Sequence, residues 1–388
     1  MKEQDLPSAV ISETESSKTT ALLNASGIER AAQGALKRRS FLKGLGMAGV
    51  ALSASGLVAS EARAANTGSR ERLSKGDVAI LKLLAAAELI EADLWQQYAE
   101  LGGVSTGVQN SYQLAFQNLD GDGSQYISSN TLDEQSHASF LNAYLISKGE
   151  KPVDFDRFRV LPSSQAAGAQ QIGRLTNLMQ LSVDTSWFVR YRSATNPDFH
   201  ATFEQALAAL AAGQFTAIPR TNDDLGPQDH VQAIANTAAF HFGFIEQAGS
   251  SLYATLSQQV SNAEVLKVTL SIGGDEICHF LEWVDFAGNA VQPPIAPLTD
   301  STNGLVFPNF DATPDPLIQT NLIFPVPCEF ISPNLPKCAV IRPTSPGQIG
   351  AVGAIKGFIS DGLFIGQSAE FTELLLNLAH AADEAKRS

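Results

Sequence analysis

Apolar positions recur along this chain with a helical period far more often than they alternate as in strands. From a polar entry at Ser74-Lys75-Gly76-Asp77 to a stop at Gly102-Gly103, apolar or large residues fall at 80, 84, 88, 91, 95 and 98, one face of a helix. A turn-like Asp120-Gly121-Asp122-Gly123 leads into a second helix ending near Lys148, with Gly149 as its C-terminal stop. The pattern predicts a third helical stretch over 170–192, a shorter one near 202–212, and a long helix rich in Ala, Phe and Ile over 229–258. Ser261-Asn262-Ala263-Glu264 has the form of a capping box and opens a helix running to about Gly288. Twelve of the 18 prolines then fall between positions 292 and 346, which rules out a helix there and predicts an extended, loop-rich segment. A final amphipathic helix is expected over 368–386.

Composition narrows the functional classes. At 388 residues with 44% apolar and 17% charged side chains, the chain has the make-up of a globular protein with a sizeable core. Its net charge of −14 excludes the electrostatic footprint of a nucleic-acid-binding protein. Three cysteines cannot make a disulfide scaffold, although Cys328 and Cys338 could pair in an oxidising compartment.

The first 64 residues read as a targeting segment rather than part of the fold. Arg38-Arg39-Ser40-Phe41-Leu42-Lys43 precedes a small-residue apolar run and then Ala62-Arg63-Ala64, an A-x-A type cleavage site. This arrangement resembles a twin-arginine export signal, which implies the twin-arginine translocase as a partner and a periplasmic or extracytoplasmic location. Cleavage after Ala64 would remove eight basic and six acidic residues and leave a net charge of −16. The apolar run is short and rich in Gly and Ser, so no integral membrane span is expected after cleavage.

Two of the predicted helices carry the same spacing of a carboxylate and an imidazole. Glu134-Gln135-Ser136-His137 and Glu276-Ile277-Cys278-His279 are both Glu-x-x-His, which puts the two side chains on one helix face, able to grip one ion together. With 20 Glu and 6 His in the chain, chance placement gives about 0.3 such motifs, so two of them call for an explanation. The other two long helices each offer a glutamate two turns before an aromatic residue. These are Glu88 before Trp95, Glu91 before Tyr98, and Glu246 before Tyr253. The order Glu, Glu-x-x-His, Glu, Glu-x-x-His, one element per long helix, is the pattern of the dinuclear carboxylate four-helix bundles.

On these residues the chain resembles the ferritin-like superfamily, and within it the bacterial ferritin-like domain proteins related to plant desiccation-related proteins. The resemblance spans roughly residues 74–288, with an expanded connection over 152–228. The implied fold is all-α: a ferritin-like four-helix bundle, an expanded helical connection, a loop-rich proline-containing extension over 289–365 and a C-terminal helix over 366–388. It implies two Fe or Mn ions held by Glu88, Glu134, His137, Glu246, Glu276 and His279, with Glu134 and Glu276 bridging and Glu91 as the alternative to Glu88. Trp95, Tyr98 and Tyr253 would then lie just outside the ligands.

The ligand set has its own electrostatic logic. Two divalent cations repel, four carboxylates offset that repulsion, and two neutral imidazoles complete the shells. Oxygen-rich, sulfur-free donors suit iron or manganese better than zinc or copper. Dioxygen or peroxide is the expected small-molecule oxidant, with manganese catalase-like peroxide disproportionation, or a non-enzymatic stress-related role, as alternatives. The amphipathic last helix and the long extension leave room for a homo-oligomer.

Competing roles exist for several residues. Glu134 could instead be the third residue of a capping box begun by Thr131, provided the helix starts that late. His241 is five positions before Glu246 and so turns off the ligand face, as a core histidine would. His200, His230 and His380 read as surface residues, Asp120 and Asp122 as a polar turn, and Cys278 as a packed thiol. Gly273-Gly274 suggests close helix approach or a local bulge.

Overall fold

The computed structural model describes residues 72–104, 110–190, 204–312, 325–326, 332, 334–339 and 350–386. The export signal expected over 1–64, as well as His200 and Cys328, lies outside the described residues. The described chain is predominantly helical, with only two-residue strand pairs at Leu298–Thr299 with Val306–Phe307 and at Pro325–Val326 with Cys338–Ala339.

Among the described residues nine α-helices follow one another: α1 Lys75–Gly102, α2 Ser111–Leu119, α3 Gly123–Ser147, α4 Trp187–Arg190, α5 Ala208–Ala212, α6 Gln228–Ser257, α7 Ala263–Asn289, α8 Ala351–Ser360 and α9 Ala369–Asp383. The four long ones pack as two pairs, α1 on α3 and α6 on α7. Ser74 caps α1 by accepting from the Asp77 amide at 3.0 Å. At α7 the cap is Asn262, whose side chain accepts from the amides of Glu264 and Val265, so the boundary lies one residue after the expected Ser261. Gly149 closes α3 at φ +86°, a left-handed conformation that glycine adopts without strain.

Between the pairs sits an aromatic core. Trp95 of α1 stacks on Trp283 of α7 at 5.0 Å and meets Phe242 of α6 at 4.7 Å. Helices α1 and α6 are buried on nearly every face because they are covered from outside as well, which explains their Ala-rich composition. The outer cover of α1 is partly α9, whose Phe371, Leu375 and Ala379 are buried. The approach of α7 to α6 is close at Gly273, where a Cβ would stand 2.7 Å from Cβ of Tyr253. Gly274 has nothing within 4 Å of such a Cβ, and α7 continues through both glycines as regular α-helix without a bulge.

Two expectations need correction. Among its described residues the connection over 152–228 is not an expanded helical segment: 170–186 is irregular, and of the expected helix only α4 forms there. Leu175, Leu178 and Leu181 mimic a helical period but are buried along non-helical chain held by longer-range bonds. Asp93 on α1 accepts from the amides of Leu175 and Thr176, both at 2.9 Å, and Leu161 pairs antiparallel with Arg174. Secondly, among the described residues the shorter helix is confined to Ala208–Ala212. Beyond the proline-rich stretch, α8 forms and buries Ala354, Ile355 and Phe358. Helix α2, capped by Asn110, has no counterpart among the elements the sequence pattern predicts.

Candidate metal centre

The two pairs of long helices bring buried carboxylates and imidazoles together at one level. Glu88 comes from α1, Glu134 and His137 from α3, Glu246 from α6, and Glu276 and His279 from α7. Helix α3 begins at Gly123, so Thr131 is interior and caps nothing; its hydroxyl donates to the Ile127 carbonyl. That frees Glu134 to point inward, where it is fully buried.

The donors form two overlapping groups, each able to hold a metal ion. One is Glu88, Glu134, His137 and Glu276; the other is Glu134, Glu246, Glu276 and His279. Glu134 and Glu276 belong to both. Nδ1 of His137 lies 3.3 Å from Glu88 and from Glu134, and 3.5 Å from Glu276. Nδ1 of His279 lies 3.0 Å from Glu134 and 3.6 Å from Glu246. All six residues proposed as ligands from the sequence are thus gathered at one place.

The fit to a cation follows from what these atoms lack. Glu88 Oε2, Glu246 Oε2 and both carboxylate oxygens of Glu276 are buried and accept no well-aligned hydrogen bond. Lone pairs removed from water without a donor are costly unless a cation or proton takes them. Burial first, and then the neighbouring Glu134, push the Glu88 carboxyl up to about 8. Burial and the Glu134 and Glu88 charges drive Glu276 well above the usual carboxylate range. Burial works against a charged His137, but hydrogen bonds to Glu134, Glu276 and Glu88 outweigh it and hold the imidazolium far above its ordinary range. The same balance, with Glu246 the leading favourable charge, raises His279. The cluster therefore demands positive charge. Gly249 on α6 shapes the space: a Cβ there would collide with Oε2 of Glu276.

Glu91, the alternative to Glu88, is not a member of either donor group. It is nonetheless buried beside them rather than solvated. Burial and repulsion from Glu276, Glu134, Glu88 and Glu246 raise its carboxyl well above the usual range. Tyr253 donates its hydroxyl to Glu88, as a residue bordering the ligands should. Trp95 is one step further out, reaching the site through Trp283, whose indole donates to Asn130 at 2.7 Å. Tyr98 is turned away from the carboxylates, its hydroxyl 2.8 Å from Nδ1 of His241, and His241 is a buried, hydrogen-bonded core residue.

Sequence reasoning missed the partners that orient the ligands. Nε2 of His137 lies 3.2 Å from Asp275, and Nε2 of His279 lies 3.4 Å from Asp133. Each imidazole thus turns Nδ1 inward and anchors its far nitrogen on a carboxylate, the arrangement that fixes a metal-binding histidine. The signal was present: both motifs read Asp-Glu-x-x-His. Asn130, one turn before Glu134, donates to Glu134 at 2.7 Å and to Glu246 at 3.3 Å.

Two other assignments change. His230 is not on the surface: it is buried at the start of α6, with Nδ1 2.8 Å from Asp300 and Nε2 3.3 Å from Asp224. Cys278 is exposed rather than packed, because two positions after Glu276 the helix has turned by about 200°. His380 is exposed, and Asp120 accepts from the Asp122 amide in a polar turn, both as expected. No helix among the described residues is long and apolar enough to cross a membrane.

Comparison with protein-family models, with curated proteins and with solved structures finds no match for this chain.

Proposed function

We propose that this chain is an exported ferritin-like four-helix bundle that holds two iron or manganese ions and carries out redox chemistry on dioxygen or peroxide. The observation that carries the reading is the pair of four-donor groups sharing Glu134 and Glu276, with buried carboxylate oxygens that accept no well-aligned hydrogen bond. Shared carboxylates are what two neighbouring cations need, since they lie between the charges and screen their repulsion. Glu88 with His137 and Glu246 with His279 would complete the two ends. A bound pair with an open position would supply one-electron redox steps and a place for dioxygen or peroxide.

The chain's own residues prepare that site. Asp275 and Asp133 hold the imidazoles in one orientation, Tyr253 donates to Glu88, and Asn130 donates to Glu134 and Glu246. Trp95, Phe242 and Trp283 close one side with apolar surface and keep water from competing for the donors. The twin-arginine-like segment supports export after folding, which suits a protein that must fold around its metal first.

The test is elemental analysis of protein purified from its own exported fraction. About two equivalents of iron or manganese are expected, and a Glu134→Ala, Glu276→Ala variant should lose both. Full metal content in that variant overturns the assignment. Rapid dioxygen release from peroxide by the manganese-loaded form would select catalase-like chemistry, and bound metal without turnover would select a structural role.

A further inference from the structure

A groove of about 570 Å³ runs between α3 and α7 and ends at His137, whose outer nitrogen Nε2 meets Asp275 on the groove while Nδ1 faces the buried carboxylates. That volume falls in the range of organic-ligand pockets and is far more than dioxygen or peroxide requires. Val268 and Ile272 form its apolar floor, and Phe140, 51% exposed, its outer wall. Along α7 the groove is edged by Lys267, Ser271 and Asp275 at i, i+4 and i+8, two helical turns or about 12 Å from end to end.

The charges at the two ends differ. At the inner end the Asp275 carboxylate is engaged by Nε2 of His137 at 3.2 Å and would repel an anion. At the outer end Lys267 is exposed and makes no ion pair among the described residues; Glu264, the acid it faces at longer range, is paired with Lys148 at 2.5 Å. Gly274 supplies an independent observation. A glycine in a helix interior costs stability, and here no neighbouring atom needs its small size, because a side chain would project into open space on the groove. Its lack of a side chain leaves that stretch of the groove open.

We propose that this groove is the organic-substrate site of the metal centre and takes a medium-chain apolar carboxylate, with its anionic end at Lys267 and its apolar end against His137. The proposal rests on the metal-centre reading given above. Phe140, Val268 and Ile272 contribute the apolar contact, and Lys267 sets the orientation.

The probe is decanoate, titrated calorimetrically into the metal-loaded protein at neutral pH, with decylammonium as the charge-reversed control. Expected results are one-to-one binding of decanoate, loss of binding in Gly274→Leu, at least tenfold weaker binding in Lys267→Glu, and no comparable binding of decylammonium. In the manganese-loaded protein the terminal methyl protons of decanoate should relax faster than those beside its carboxylate. Absence of decanoate binding to fully loaded wild type, binding that both substitutions leave unchanged, or equal binding of decylammonium overturns the proposal. Metal content, measured on every variant, separates the two readings: two equivalents of metal without decanoate binding sinks the groove alone, whereas wild type that takes up no iron or manganese sinks the metal centre whether or not decanoate binds.

Discussion

The carboxylate of Glu276 on α7 lies directly against Gly249 on α6, with no room for a Cβ between them. A helix-interior glycine is otherwise unfavourable by about 1 kcal/mol relative to alanine. Its presence in α6 is therefore explained by the carboxylate it admits.

Gly249→Ala should push Glu276 out of both donor groups while leaving the helices intact. Metal affinity is expected to fall by about 10–100-fold, the range seen when the support of a ligand is disturbed. Competition with a chelator measures this, and unchanged helical circular dichroism would show that the fold persists. Unaltered affinity would mean that Glu276 is not a ligand.

Asp275→Asn and Asp133→Asn test the outer anchors of His137 and His279. Each should weaken metal binding by about 10–100-fold without removing a ligand. The effect of Asp275→Asn should be the larger, because that carboxylate lies 3.2 Å from His137 and also faces His279 at 3.8 Å.

Stability should depend on pH in opposite ways with and without metal. In the metal-free fold Glu88 keeps its proton up to about 8, whereas an unfolded glutamate loses it near 4.5. The folded state therefore binds more protons across that window, and its stability falls as pH rises through it. His137 and His279, both raised above the ordinary 6.5, act in the same direction above that pH. Metal displaces these protons, so its affinity rises with pH. The gap in melting temperature between metal-loaded and chelator-treated protein should widen from pH 5 to pH 8; a gap independent of pH would contradict the cluster's protonation.

Asp93→Ala should release the irregular segment after residue 152 from α1. The buried carboxylate of Asp93 accepts from the amides of Leu175 and Thr176 and the Thr176 hydroxyl, and it pairs with Arg159 at 2.7 Å. Removing it strands several donors, at a cost of about 3–5 kcal/mol. Urea unfolding reads the loss. Metal stoichiometry should stay at the wild-type value, because Asp93 is in neither donor group.

What the sequence determined by itself was whatever recurs locally. The helical period placed α1, α3, α6, α7 and α9 within a few residues, and the paired Glu-x-x-His motifs named donors that the structure brings together. Spacing on one helix is a short-range property, set by 3.6 residues per turn, so it can be read without knowing what packs against it. Tertiary structure alone decided the rest. Glu88 and Glu91 sit three residues apart with equivalent local signals, and only the position of α3 and α7 makes Glu88 the one that meets His137. The leucines of 175–181 carry a helical period, yet bonds to Asp93, 82 and 83 residues away in the chain, hold that backbone irregular. His230 reads as an isolated surface histidine until Asp300, 70 residues further on, folds back onto it. In each case the deciding energy comes from groups distant in sequence, and burial removes the water that would otherwise have satisfied them.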